Sequence, residues 1–166
     1  MDQNALTKFN TGKLYRVSPF VGGITEGFSG NATPKDLEYL FQSVYAYFTD
    51  LNFDQNAFES EKNKMKSYMA NMMAMPEVFF QVEVADFMYA HNPRYSSPIP
   101  TAQDWDNTDY KKAYELFKER FADASDFEFY FVGNVDENKI KEFSEKYIAS
   151  LPALNRKETF KDTGMR

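Results

Sequence analysis

The sequence predicts an α+β fold, an antiparallel or mixed sheet covered on one face by helices. Three observations carry that expectation. Two runs of strand character lie near the start, residues 14–20 and 24–30, joined by Gly22-Gly23 in a plausible hairpin turn. A block of helix-patterned segments fills the middle of the chain. One late strand then feeds a last helix. A doubly wound fold would need strands and helices to alternate regularly, and this chain does not do that.

After the hairpin, Thr33-Pro34 opens the first helix. Thr33 suits the N-cap, Pro34 the first helical position, and Asp36 the acidic place of a capping box. Leu37, Leu40, Phe41, Val44, Tyr45 and Phe48 recur at the spacing of one buried face. Asp54 caps a second helix that runs to about Met75. Pro76 cannot continue it without losing a backbone bond, so it kinks that helix or begins a third over residues 77–90. That third segment is rich in Val and Phe and is expected to be well buried. Asn92-Pro93, Pro98 and Pro100 punctuate a loop. Thr108 is the expected cap of a fourth helix carrying Tyr110, Ala113, Tyr114, Phe117 and Phe121.

The last part is the most informative. Phe127, Phe129 and Phe131 alternate with Glu128, Tyr130 and Val132, the period of a half-buried strand. The expectation is a strand inside the sheet, its three phenylalanines facing the helical layer. Gly133 and Asn134 break it, and Asp136 caps a helix with an apolar stripe of Ile140, Phe143, Tyr147, Ile148 and Leu151 before Pro152 stops it.

Composition narrows the function. A chain of 166 residues buries about 70% of its unfolded surface, and 17 Phe with 11 Tyr give ample core material. The absence of cysteine excludes disulfides and thiolate metal sites. A net charge of −6, with no run of Lys and Arg, argues against a nucleic-acid surface. No apolar run approaches the roughly 18 residues of a membrane span. The opening residues MDQNALTKFNTGK hold no apolar signal core, so no signal peptide is expected in this sequence.

Individual candidates weaken on inspection. His91, in YAHNPRY, stands at a helix C-terminus, where the dipole favours it, with no triad partner in its neighbourhood. Met65, Met69 and Met72 share a helix face near Met73 and Met75. They read as packing rather than a soft-metal site. The glycines of GGITEGFSG lack the lysine and hydroxyl of a phosphate loop, so a turn and close strand packing explain them better. Asn31-Ala32-Thr33 matches a glycosylation sequon, but Thr33 is expected to cap a helix. Glu59, Glu61, Lys62, Lys64 and Lys66 read as a solvated charged face. Glu26 projects beside Gly27, where it could reach a peptide or a neighbouring subdomain.

The order and spacing of several segments resemble the insulinase/pitrilysin-type zinc metallopeptidases. DFEFYFVGNVDENKIKEFSEKYIASLP, a strand feeding a helix, resembles one of their halves, and DYKKAYELFKERFADASDFEFYFVGNVD is similar to the helix and strand that close the subdomain. SPFVGGITEGFSGNATPKDLEYLFQSVYAYF is similar to a strand pair leading into a long helix in their C-terminal half, and FDQNAFESEKNKMKSYMANMMAMPEVFFQ to the helix pair that follows. The nearest likeness is to the third of four homologous subdomains in large bacterial zinc proteases. On that likeness residues 13–152 form a single peptidase-like subdomain, truncated at its N-terminal strands, and 1–12 and 153–166 are flanking segments. The family binds zinc through the histidines of HxxEH and a distal glutamate. Here no HxxEH exists, and Tyr68 stands where the distal ligand would be; a phenol of pKa about 10 is a poor zinc ligand. The expectation is therefore no catalytic, cofactor-binding or metal residue in this chain, with zinc held elsewhere in a parent enzyme. The resemblance further implies other subdomains and peptide substrate as partners, a periplasmic or envelope location, and self-association where neighbours are missing. The alternative is a stand-alone interaction or scaffold domain that keeps the fold without the activity.

Overall fold

A computed structural model describes residues 8–22, 25–89, 92, 95–157 and 159. The strands are β1 (Tyr15–Val21) and β2 (Glu26–Ala32). The helices are α1 (Leu37–Thr49), α2 (Gln55–Met73), α3 (Pro76–Tyr89), α4 (Ala102–Asn107), α5 (Tyr110–Arg120) and α6 (Glu137–Phe143). The α+β class holds, with a two-stranded antiparallel sheet among the described residues. These residues fall into two units, one from Met1–Asn52 with Glu115–Glu158, the other from Phe53–Tyr114 with Thr159–Arg166.

In the first unit β1 and β2 pair from Tyr15 opposite Ala32 to Val21 opposite Glu26, close to the expected hairpin. Ile24, expected to begin the second strand, lies outside the described residues, as does Gly23 of the turn. Gly30 is required on β2, because a Cβ there would stand 2.7 Å from the Arg16 carbonyl oxygen. The helix after the hairpin starts later than its sequence suggests. Thr33 and Asp36 close a turn, with the Thr33 hydroxyl donating to Asp36 at 2.9 Å, and α1 begins only at Leu37. Asp36 is the N-cap residue but makes no capping bond. Its buried carboxylate instead accepts the Leu14 N–H at 2.9 Å, tying the start of β1 to the start of α1.

The predicted face of α1 forms the core. Phe41 and Val44 are buried, and Phe48 meets Phe28 of β2 at 5.5 Å and Phe121 at 5.7 Å. Asp136 caps α6 by accepting the Asn138 and Lys139 N–H groups, as expected. The helix then loosens into a π turn over Ser144–Ile148, closed by the Ala149 N–H on the Ser144 carbonyl. Through that turn the Lys146 ammonium and the Tyr147 hydroxyl both donate to Glu38 of α1 at 2.7 Å. The two donors hold the Glu38 carboxyl below its ordinary range, Lys146 contributing most. Leu151, placed on the helical stripe by its spacing, lies beyond the helix and is buried.

Residues 127–132 are not a strand of the sheet, which corrects the sequence reading. The alternation survives: Phe127, Phe129 and Phe131 are half-buried, while Glu128, Tyr130 and Val132 are exposed. The phenylalanines do face α1, with Phe131 stacked on Phe41 at 5.1 Å and Phe127 edge-on to Phe48 at 5.2 Å. No described residue pairs with the backbone of 128–132, so side-chain burial rather than a ladder holds the segment. A strand pattern reports which side chains are covered; it does not supply the neighbour that makes a strand.

Asp123 fixes the end of this unit. It is fully buried and accepts the Ser125 hydroxyl at 2.6 Å and the N–H groups of Arg156, Leu154 and Ser125 at 2.7, 2.8 and 3.1 Å. Burial alone would raise its pKa. The Ser125 hydroxyl and the three backbone donors more than offset that, so the carboxyl is held well below the usual range.

In the second unit Asp54 caps α2 through the Ala57 N–H at 2.9 Å, as its sequence suggests. Tyr110 stacks on Phe53 at 4.7 Å and on Phe58 at 4.5 Å. Thr108 does not cap α5. It closes α4, its hydroxyl donating to the Asp104 carbonyl, and Asp109 receives the Lys112 N–H instead. The short α4, unseen in the sequence, is set by a reciprocal Thr101–Asp104 capping box. Lys62 and Lys66 reach Asp106 of α4 at 3.4 and 2.8 Å, so the expected solvated face of α2 is in part a clamp. The third helix begins at Pro76 but is not well buried. Only Val82 is enclosed, while Phe80, Phe87 and Met88 are 67%, 87% and 61% exposed. Its apolar residues lie all round the helix, so no single packed face can cover them.

Two measurements check these assignments. Phe41→Ala should cost about 3–5 kcal/mol in urea denaturation, whereas Phe87→Ala should stay within about 0.5 kcal/mol. Because the Asp123 pKa is depressed by folding, its contribution is complete above the unfolded value near 3.9 and is lost as pH falls through the folded one. Asp123→Asn should therefore lower the urea midpoint at pH 7 and flatten its decline between pH 5 and pH 3. A parallel decline in both proteins would show that Asp123 does not set the acid sensitivity.

Candidate functional site

The first unit holds a groove of about 740 Å³. One wall is β2, from Glu26 to Ala32, and the other is the extended segment 126–132. Its floor is α1, through Leu37, Leu40 and Val44. These positions follow from local chemistry. The hairpin brings β2 over α1, the aromatic contacts of Phe127 and Phe131 lay the late segment along the same helix, and Gly133, at φ +141, turns the chain away after Val132.

The groove lining is largely apolar and includes three carboxylates, Glu26, Asp126 and Glu128. Arg120 lies 3.8 Å from Glu26, so the carboxylate considered for peptide binding is engaged in an ion pair. Tyr130 donates its hydroxyl to Glu128, which pushes the phenol pKa up. Among the described residues, no histidine, cysteine, serine or lysine lines the groove. Its chemistry is that of a binding surface with an apolar floor and extended backbone on two sides.

The other sequence candidates are dispersed. His91 lies outside the described residues. Met65, Met69, Met72 and Met73 are half-buried along α2 and Met75 is exposed. Tyr68 is 53% exposed on the same helix. Gly22 closes the hairpin turn by donating its N–H to the Thr25 carbonyl at 2.7 Å. Thr33 of the sequon is tied to Asp36 and, through its N–H, to the Leu14 carbonyl. Among the described residues no three His, Cys, Asp or Glu side chains gather where a metal could sit. Sequence reasoning missed Asp123, although its Asp-x-Ser spacing is a recognisable capping signal.

No protein-family model matches the chain. Over 139 residues it is 22% identical to the probable zinc protease PqqL of Haemophilus influenzae, covering 83% of this chain and 14% of that protein. The crystal structure of the periplasmic protease PqqL from Escherichia coli superposes with a TM-score of 0.64 at 18% identity, over 96% of this chain and 17% of the other. Its homologues are zinc proteases of the insulinase type. The ferredoxin protease FusC, as an E83A mutant in complex with Arabidopsis ferredoxin, also superposes at 0.64, with 13% identity over 95% of this chain and 17% of FusC. The chain thus spans about one-sixth or less of the insulinase-type relatives it matches. Among the described residues no helix is long and apolar enough to cross a membrane.

Proposed function

We propose that this chain is a noncatalytic subdomain of an insulinase-type zinc metallopeptidase. In this reading residues 13–152 form one peptidase-like unit, flanked by 1–12 and 153–166. It completes the wall of a closed chamber and helps to hold peptide against a zinc carried elsewhere in the parent. One observation carries the reading: nearly the whole chain superposes on a small part of two proteases. The departure of its own residues from a zinc ligand set supports the noncatalytic part. The substrate class is a peptide or small protein, by analogy with FusC, whose structure holds a ferredoxin. A periplasmic location follows from the E. coli PqqL likeness in the same way.

Calorimetric titration with zinc and a peptidase assay test this directly. The isolated chain should bind no zinc tightly and should leave unstructured peptides intact with or without added metal. Stoichiometric binding, or cleavage abolished by a chelator, would sink the noncatalytic reading. Translation of the surrounding reading frame tests the parent. An HxxEH encoded in the same frame is the expected result; stop codons on both sides would favour the stand-alone scaffold instead.

A further inference from the structure

We infer that residues 152–156 are a latch, a short strap clasped by Asp123 that opens and closes apart from the core and so sets the free length of chain leaving the first unit. The inference stands apart from the peptidase reading and needs only this chain. The chain re-enters the first unit at Glu115 and leaves it after Glu158. The clasp ties those two passages together, joining residues 119–125, just after the first, to residues 152–156, just before the second.

The hold on the strap is polar. Leu151 is buried, but Ala153, Leu154 and Asn155 are exposed, so apolar burial does little to keep this stretch in place. Hydrogen bonds do. The Ala124 N–H donates to the Pro152 carbonyl at 2.8 Å. The Leu154 N–H reaches Asp123 Oδ1 at 2.8 Å and the Arg156 N–H reaches Asp123 Oδ2 at 2.7 Å. The Arg156 guanidinium donates to the Glu119 carbonyl at 2.9 Å, and its Nε lies 3.7 Å from Asp123. Each of these contacts joins the strap to residues 119–124, so lifting the strap breaks them together and leaves the aromatic core on α1 untouched.

Asn155 allows one carboxylate to take both N–H groups. Its φ of +54 makes it the sole non-glycine residue in the left-handed region among the described residues. Here the N–H groups on either side of a left-handed residue converge on a single anion, as in a backbone nest. Asparagine visits this conformation at small cost and glycine at less, whereas a β-branched residue is strongly disfavoured. The side chain at this exposed position therefore biases the latch without touching the core.

The consequence is length. Closed, the strap fixes the point from which residue 157 departs. Opened, residues 152–156 add up to roughly 17 Å of tether. Hinges work in this way, with a few loop or terminal residues absorbing the backbone change while the packed parts stay intact.

Amide exchange resolved by NMR on the full chain tests the latch, with Phe41 and Val44 of α1 reporting opening of the core. In the native chain the Leu154 and Arg156 amides should be protected, yet exchange about tenfold or more faster than those of α1. Asn155→Val should speed both strap amides by about a further tenfold, Asn155→Gly should leave them within about twofold, and neither should alter α1. Strap and α1 amides that exchange together would make the clasp part of the core and overturn the inference. Unprotected strap amides in the native chain would overturn it too, as would an Asn155→Val protein that exchanges like the native one or like Asn155→Gly. Length is read separately. The chain has no cysteine, so spin labels placed through Lys141→Cys and Lys157→Cys report one distance. Asp123→Ala should broaden that distance distribution by about 10 Å or more while α1 stays protected. An unchanged distribution, or loss of α1 protection in that variant, would overturn the inference.

Discussion

Helix α1 must cover three separate pieces of chain with one face. The hairpin reaches it through Phe28, the late extended segment through Phe127 and Phe131, and the closing helix through Phe143 and Tyr147. Each piece is short and would bury too little to order itself. Their aromatic rings meet on Phe41 and Phe48, and in doing so fix where the hairpin and the segment 126–132 lie along the helix. The groove between them follows from that placement. It is the space left above α1 when two extended stretches are anchored to one helix without touching each other through backbone bonds.

Acidic side chains carry much of the remaining organisation. Asp36 and Asp123 are buried, and both spend their oxygens on backbone N–H groups of distant segments. Asp54 and Asp136 cap helices, and Asp106 receives two lysines. The donors around Asp36, Asp106 and Asp123 hold those three carboxyls below their ordinary range, so they are poorly suited to exchange a proton at neutral pH. These acids thus serve the attachment of loops and helix ends.

The second unit makes a different point. Its contacts are side chain on side chain, Tyr110 between Phe53 and Phe58 and the lysine clamp on Asp106, while α3 leaves large apolar residues in water. Exposed apolar side chains grouped on one helix are the kind of surface that a partner covers. The likeness to the longer proteases is of fold. Among the described residues no three His, Cys, Asp or Glu side chains come together where a metal could sit.

Periodicity and capping chemistry were enough to read most elements from the sequence. The hairpin, the buried face of α1 and the Asp54 and Asp136 caps all depend on residues within a few positions of one another. The failures share one cause. Thr33 and Asp36 have the spacing of a capping box, yet the Leu14 N–H, far away in sequence, claims the carboxylate and delays the helix. Residues 127–132 have the alternation of a strand, yet a strand also needs a neighbour at pairing distance, and alternation cannot supply one. The apolar composition of α3 looks like burial, but burial is set by what packs around a helix. The absence of HxxEH was legible in the sequence alone, because a missing residue needs no fold to be missing. The groove was not, since its walls lie about a hundred residues apart and only tertiary contact with α1 brings them to face each other.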